Sequence, residues 1–293
     1  LALDGSNAVT TMTETALQRL LGLEPFPEPP LIRLRYPVVF MHGFGMAAAL
    51  RRHGHLYEFA MDLRARGVWA FAPNVPPYNP VPVRTGIWRE RMERVLEATG
   101  SEKLNLIAHS MGGLDARYLI SREGFHDRIA SLITISSPHH GSSIASFLLD
   151  QPDRLRAWLT DLANWLGTTA MPEVDADFLN TVTELTPAYM AERFNPNVPD
   201  HPDVRYWSFS ASAGKGTGRG ISPFLRPLNV ILHNREGIND GFVSVRSAMW
   251  GEYLGPIEAD HAQQLGLQFP SRDAFDALGF YRRLAAMLRD AGF

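Results

Sequence analysis

The sequence predicts an α/β domain built on a mostly parallel, doubly wound sheet that is interrupted once by a helical insertion. Two observations predict it. Short continuous apolar runs, Y-P-V-V-F-M-H-G, V-W-A-F-A-P, K-L-N-L-I-A-H and A-S-L-I-T-I-S, alternate with amphipathic stretches near 56–66, 87–99 and 111–121. Strands apolar on both faces belong to parallel sheets covered by helices on both sides. The rhythm then stops between about 142 and 200, where the chain turns helical and Pro-punctuated, and resumes with V-R-Y-W-S-F-S. A connection of roughly 50 to 60 residues is far longer than an ordinary loop, so this stretch reads as an insertion.

The remaining elements follow in order. Residues 11–23 (T-M-T-E-T-A-L-Q-R-L-L-G-L) read as a short helix ended by Gly22, and E-P-F-P-E-P-P is a stiff link into the first strand. Residues 1–30 are thus an N-terminal helix and link attached to a single domain spanning 1–293. Beyond the insertion, a flexible G-K-G-T-G-R-G precedes N-V-I-L-H-N-R-E-G-I-N-D-G-F-V-S, read as a strand with an Asp-Gly turn, and a helix at about 272–290 closes the chain. The 293 residues, 45% hydrophobic, suffice for one large core.

Charge and composition remove several function classes. A net charge of −3, with 28 basic and 31 acidic residues in no long block, gives no footprint for nucleic acid. The absence of cysteine rules out disulfides, thiolate metal sites and cysteine nucleophiles together. No apolar run approaches the roughly 20 residues of a membrane span, and no charged segment precedes an apolar one in the manner of a leader. A chain starting at Leu1 is compatible with prior removal of a leader.

The most informative stretch is I-A-H-S-M-G-G at 107–113. A strand turning sharply into a helix holds the turn residue in a strained backbone, and the positions two before and two after it must be small. Ala108 and Gly112 satisfy this, and Ser110 would project its hydroxyl from the carboxyl end of a central strand, where open α/β sheets bind ligands. An ordinary strand-to-helix junction with Ser110 as N-cap is the alternative.

A nucleophilic serine needs a base and the base an orienting carboxylate, in the chain order serine, acid, histidine. Of the later histidines, His261 lies in a loop before the final helix, His201 in a Pro-rich surface stretch, and His233 within or beside the expected strand. Asp240, in the Asp-Gly turn, is the favoured acid, with simple turn chemistry as its alternative. Asp203 is a weaker rival, and the Asp260 side chain, next to His261, points elsewhere. Two backbone N–H groups must face the developing oxyanion: that of Met111, after the serine, and that of Phe44, in the Gly-flexed M-H-G-F-G-M. His42 and His109 are expected to support these loops. His53 with His55, and His139 with His140, are the histidine clusters; neither offers three or four converging metal ligands, and the latter pair is expected in a cleft wall.

With F-M-H-G-F-G, A-H-S-M-G-G, S-S-P-H-H-G-S, N-D-G-F-V-S and D-H-A-Q-Q-L-G-L in this order, the chain resembles α/β-hydrolase lipases, and is most similar to bacterial triacylglycerol lipases of the Pseudomonas and Burkholderia type, over about residues 36–268. The resemblance implies a carboxylic-ester hydrolase with Ser110 as nucleophile, Asp240 as acid, His261 as base and Phe44 with Met111 as oxyanion donors. It also implies secretion, a lipid or ester substrate and a lipid–water interface as partner. Those lipases hold a structural calcium beside the histidine loop, with an aspartate two residues after the histidine. Here that position is Gln263 and 204–239 contains no Asp, so no cofactor is expected and the calcium site is weak or absent.

In the insertion, Leu155, Trp158, Leu159, Leu162, Trp165 and Leu166 share one helical face, and Ile144, Phe147 and Leu148 form a shorter stripe. Such a helix suits a lid over an apolar cleft, or a helix packed permanently on the core. The expected function is a lipase cleaving medium- or long-chain acyl esters through an acyl-enzyme. A short-chain esterase, an acyltransferase and a non-catalytic acyl-binding protein are the alternatives.

Overall fold

A computed structural model describes residues 30–45, 56–151, 176–267 and 274–293, with Leu21 and Gly54 as isolated positions. The chain divides into Leu1–Leu31 and Ile32–Phe293, and the second unit carries all that follows. The helix expected at 11–23 and the lid face at 155–166 lie outside the described residues, apart from Leu21.

Six strands form one sheet: β1 (Val38–Met41), β2 (Ala70–Phe71), β3 (Leu104–His109), β4 (Ile129–Ile135), β5 (Arg205–Ala211) and β6 (Glu252–Ile257). Their order is β2-β1-β3-β4-β5-β6, and each neighbouring pair is parallel. Every residue of β1, β3 and β4 is buried, which is why these segments read as unbroken apolar runs.

Strand alternation divides these residues between two cores. Val38, Phe40, Ile107 and Ile133 pack with α1 (Tyr57–Arg64) and α7 (Ala277–Asp290) on one face. Val39, Met41, Leu106 and Leu132 pack on the other with α2 (Val81–Thr99) and α3 (Gly112–Ser121). Helix α2 begins six residues before the expected 87, since Pro82 sits in its first turn, where a missing N–H costs nothing. The helices between are α4 (Ser143–Asp150), α5 (Ala176–Glu184) and α6 (Arg226–Glu236).

Two expectations are corrected. N-V-I-L-H-N-R-E is no strand: it belongs to α6, where Leu228 and Leu232, one turn apart, are buried while Val230 is exposed. His233 therefore sits in a helical last turn. The sixth strand is instead E-Y-L-G-P-I, whose Gly255 and Pro256 resemble a turn. An edge strand tolerates both, and its pairing with β5 shifts register between Ser208 and Ser210.

A buried ion pair ties the layers to the loop after β1. Arg84 of α2 donates from Nη2 to Asp115 Oδ2 of α3 at 2.7 Å and to the His42 carbonyl at 2.6 Å, and from Nη1 to the Pro76 carbonyl at 2.9 Å. Trp88 Nε1 donates to the same Asp115 oxygen at 3.0 Å. Desolvation offsets much of the attraction in a charge pair sealed in the core, while removal of either partner would leave an uncompensated buried charge.

Glu184, at the end of α5, accepts the Val81 N–H at the start of α2 at 2.7 Å. Burial pushes its carboxyl from 4.5 to about 7, with that N–H opposing the rise. A carboxyl whose folded value lies above its unfolded one stabilises the fold fully only below the unfolded value, and this contribution is lost as pH rises through the folded value. Wild type is therefore expected to lose stability between about pH 4.5 and 7, by at most about 3 kcal/mol from this group. Urea unfolding should show this slope weakened in Glu184→Gln; an unchanged slope would place the titration elsewhere.

Candidate active site

β3 ends at His109, and Ser110 follows with φ 57°, a left-handed conformation that non-glycine residues adopt at a cost of about 1–3 kcal/mol. Its N–H bonds the Ile135 carbonyl of β4 at 2.9 Å, so the strained residue is still anchored to the sheet. The turn is tight enough that a Cβ on Gly112 would stand 2.6 Å from the Met41 carbonyl oxygen and 2.9 Å from that of His42. A Cβ on Gly113 would collide with the Ser137 side chain. The elbow thus depends on three small residues: Ala108, which is fully buried, Gly112 and Gly113.

Asp240 and His261 come together from two loops beyond α6 and β6. His261 Nδ1 lies 2.8 Å from Asp240 Oδ2, and the His261 N–H bonds the Asp240 carbonyl at 3.0 Å. Asp240 Oδ1 accepts the N–H groups of Phe242 at 3.0 Å and Val243 at 2.8 Å. Burial pushes the Asp240 carboxyl up, but the adjoining His261 and these two amides outweigh it and hold the group below its ordinary value. His261 is only 9% exposed, with the Phe242 ring edge-on at 5.1 Å and the His109 ring centroid at 4.5 Å on another side.

Two residues that sequence reasoning did not assign complete this corner. Gln264 Nε2 donates to Asp240 Oδ2 at 3.0 Å, and its Oε1 lies 3.1 Å from His109 Nε2. Asp260 indeed points away from His261: Oδ1 accepts the N–H groups of Ala262 and Gln263, and Oδ2 accepts the N–H and hydroxyl of Ser222 at 2.7 and 2.6 Å. The only sequence signal was spacing: Asp260 and Gln264 flank His261 within the span of one short helical turn.

The loop after β1 approaches the elbow closely. A Cβ on Gly43 would lie 2.7 Å from Ser110 Cβ and 2.8 Å from the Met111 nitrogen. Phe44, next in the chain, packs its ring against Tyr78 and Phe178 at centroid distances of 5.1 and 5.4 Å. His42 supports this loop, its Nε2 accepting the Val75 N–H at 3.1 Å.

The other candidates lie elsewhere. Asp203 is exposed and 3.9 Å from His201, whose ring stacks on His126. His139 is fully buried, 3.0 Å from Thr134 Oγ1 and stacked on Trp250; burial, followed by the nearby Arg117, holds it far below its ordinary value. It is therefore part of the core, while His140 beside it is exposed. His53 and His55 lie outside the described residues.

The calcium that the resemblance implies does not fit this loop. Gln263 Oε1 is occupied by the Asp260 N–H at 2.9 Å, and both Asp260 oxygens take protein hydrogens. Among the described residues no three His, Asp or Glu side chains converge as a metal group.

Residues 36–225 match the family model described as alpha/beta hydrolase fold. The chain belongs to the α/β-hydrolase family. Within that family it is 31% identical over 283 residues to a triacylglycerol lipase of Vibrio cholerae, covering 88% of this chain and 89% of that one. It is 29% identical over 251 residues to triacylglycerol lipase 2 of Saccharomyces cerevisiae, covering 79% and 72%. The match to a Burkholderia plantarii triacylglycerol lipase, 31% identical, covers 56% of this chain and about half, 48%, of that one. Among solved α/β-hydrolase structures, a metagenomic carboxyl esterase superposes with a TM-score of 0.67 at 20% identity, over 92% of this chain and 77% of its own. A Bacillus licheniformis lipase in its mature form gives 0.63 at 20% identity, over 90% and 94%.

Two outcomes follow from this geometry. Gly43→Ala should lower kcat/KM on a soluble ester by about 100-fold or more, because the added methyl displaces the loop from the Met111 N–H. An alanine variant with wild-type kinetics would show that the loop's approach does not matter. Dialysis against a chelator should leave both turnover and Tm unchanged, since hydrogen bonds already fill the His261 loop; a Tm that falls with chelator and returns with calcium would contradict this.

Proposed function

We propose that Ser110 is the nucleophile of an acyl-transfer reaction to water, with His261 as its base, Asp240 as the acid that orients that base, and the N–H groups of Met111 and Phe44 as oxyanion donors. The chain is a serine carboxylic-ester hydrolase of the lipase type. The observation that carries the residue assignment is the juxtaposition of a buried, hydrogen-bonded Asp240–His261 pair with the His109–Ser110 elbow.

In this reading His261 Nε2 takes the Ser110 proton as Oγ attacks the ester carbonyl, and the resulting imidazolium is balanced by the Asp240 carboxylate, whose Oδ2 lies 2.8 Å from Nδ1. The Met111 and Phe44 amides stabilise the charge on the carbonyl oxygen. His261 then returns the proton to the departing alcohol, and a water activated by the same histidine releases the acid. The steps need no cofactor.

Acyl substrates are favoured by what surrounds these groups. Phe44 and Phe242, which flank the oxyanion loop and His261, pack against an apolar cluster of Ile144, Phe147 and Leu148 from α4, Phe178 and Val182 from α5, and Leu228 and Leu232 from α6. The insertion at 142–200 therefore contributes apolar surface beside the reacting groups, which supports a medium- or long-chain acyl ester and a covering role for the insertion. Among the described residues no helix is long and apolar enough to cross a membrane.

The test is turnover of p-nitrophenyl esters from acetate to palmitate, then of emulsified triglyceride. Ser110→Ala should abolish turnover and Asp240→Asn should lower kcat by about 10,000-fold. Wild-type kcat/KM should rise with acyl length. Full activity in Ser110→Ala would refute the assignment, and a preference for acetate would leave a small-pocket esterase.

A further inference from the structure

Gln264 is fully buried, yet the reaction as proposed gives it nothing to do. Its carboxamide lies between two groups that the reaction does involve. Asp240 Oδ2 receives two hydrogen bonds, from His261 Nδ1 at 2.8 Å and from Gln264 Nε2 at 3.0 Å. The other end of the same amide, Oε1, is 3.1 Å from Nε2 of His109, the residue before Ser110.

The donor and acceptor roles are fixed by chemistry. An ionised carboxylate only accepts, so the amide nitrogen must face Asp240 and its oxygen must face His109. His109 Nε2 therefore carries a hydrogen and donates it. Gln264 is itself held by its N–H and Nε2 to the Asp260 carbonyl at 3.3 and 3.2 Å, and its carbonyl accepts the Tyr281 hydroxyl of α7 at 3.3 Å.

We infer that Gln264 is a positioning residue: its carboxamide holds the Asp240 carboxylate in line with His261 Nδ1 and fixes the His109 ring against His261. This rests on the proposed roles of Ser110, Asp240 and His261. Only a group with a donor and an acceptor on one planar end can serve both neighbours. An apolar side chain would take away the acceptor that faces His109 Nε2 and leave the Asp240 carboxylate one donor short. A carboxylate would stand against Asp240 and draw a proton onto His109, whose ring faces the histidine that must become positive.

The titratable groups around this amide are Asp240 and His261 on its acid side, His109 from the end of β3, Asp260 on its own loop, and the Tyr281 hydroxyl from α7. The Asp260 carboxylate is turned away, onto Ser222 and the amides of Ala262 and Gln263.

The experiment compares wild type, Gln264→Leu, Gln264→Glu and Ser110→Ala, as full chains, on a soluble p-nitrophenyl ester. It runs from about pH 5.5 to 8.5, with kcat normalised to the burst of p-nitrophenol. Gln264→Leu should lose about 10- to 100-fold in kcat at every pH, with KM changed less than about threefold. In Gln264→Glu the introduced carboxyl shares one proton with Asp240 at acid pH and donates as the amide does. Its kcat relative to wild type should therefore be highest at the acid end and fall toward the leucine variant as that proton leaves.

A filler role would give a ratio flat with pH, which would overturn the inference, as would wild-type kcat in Gln264→Leu. If the leucine variant does not fold, the pH course of the glutamate variant decides alone. Turnover in Ser110→Ala would refute the underlying assignment instead, so the two failures are distinguishable.

Discussion

A non-glycine residue held at φ 57° at the carboxyl end of a central strand imposes conditions on everything around it. Helix α3 must start within one residue of the turn, so its first residues pass against the carbonyls of Met41 and His42 at distances only glycine allows. The loop after β1 must come equally close, and Gly43 makes that possible. The buried Arg84–Asp115 pair then fixes this arrangement from behind, since the same guanidinium holds both α3 and the His42 carbonyl. Strain of about 1–3 kcal/mol at one serine is sustained because sheet, helix and loop each over-determine its position.

The Asp240–His261 corner follows a different logic. Neither residue belongs to a regular element, so the geometry has to come from hydrogen bonds. Asp240 receives four, from His261, Gln264, Phe242 and Val243, and Asp260 ties the His261 loop to Ser222. A buried carboxylate with this many donors stays ionised despite its burial, which is the state that orients an imidazole and balances its charge. These hydrogen bonds tie the two loops to each other and to Ser222.

Much of this was legible in the sequence because it rests on local chemistry. I-A-H-S-M-G-G announces its turn through residue size, and the apolar runs of β1, β3 and β4 announce a sheet covered on both faces. What was not legible depends on long-range partners. E-Y-L-G-P-I looks like a turn until β5 supplies the other half of its ladder, and N-V-I-L-H-N looks like a strand until Leu228 and Leu232 are seen to bury together. Gln264 carries no charge and no motif. Its position matters only because His109, 155 residues earlier, and Asp240 are both within reach.

The central claim is that Ser110 is the reacting group of this site. It is tested most directly by treating the folded protein with a p-nitrophenyl alkylphosphonate, which transfers its phosphonyl group to an activated serine, and mapping the adduct by mass spectrometry. The account predicts one phosphonyl group per chain, on the peptide containing Ser110, with p-nitrophenol released in equal amount. An adduct on another residue, or none in protein that still cleaves esters, would contradict it.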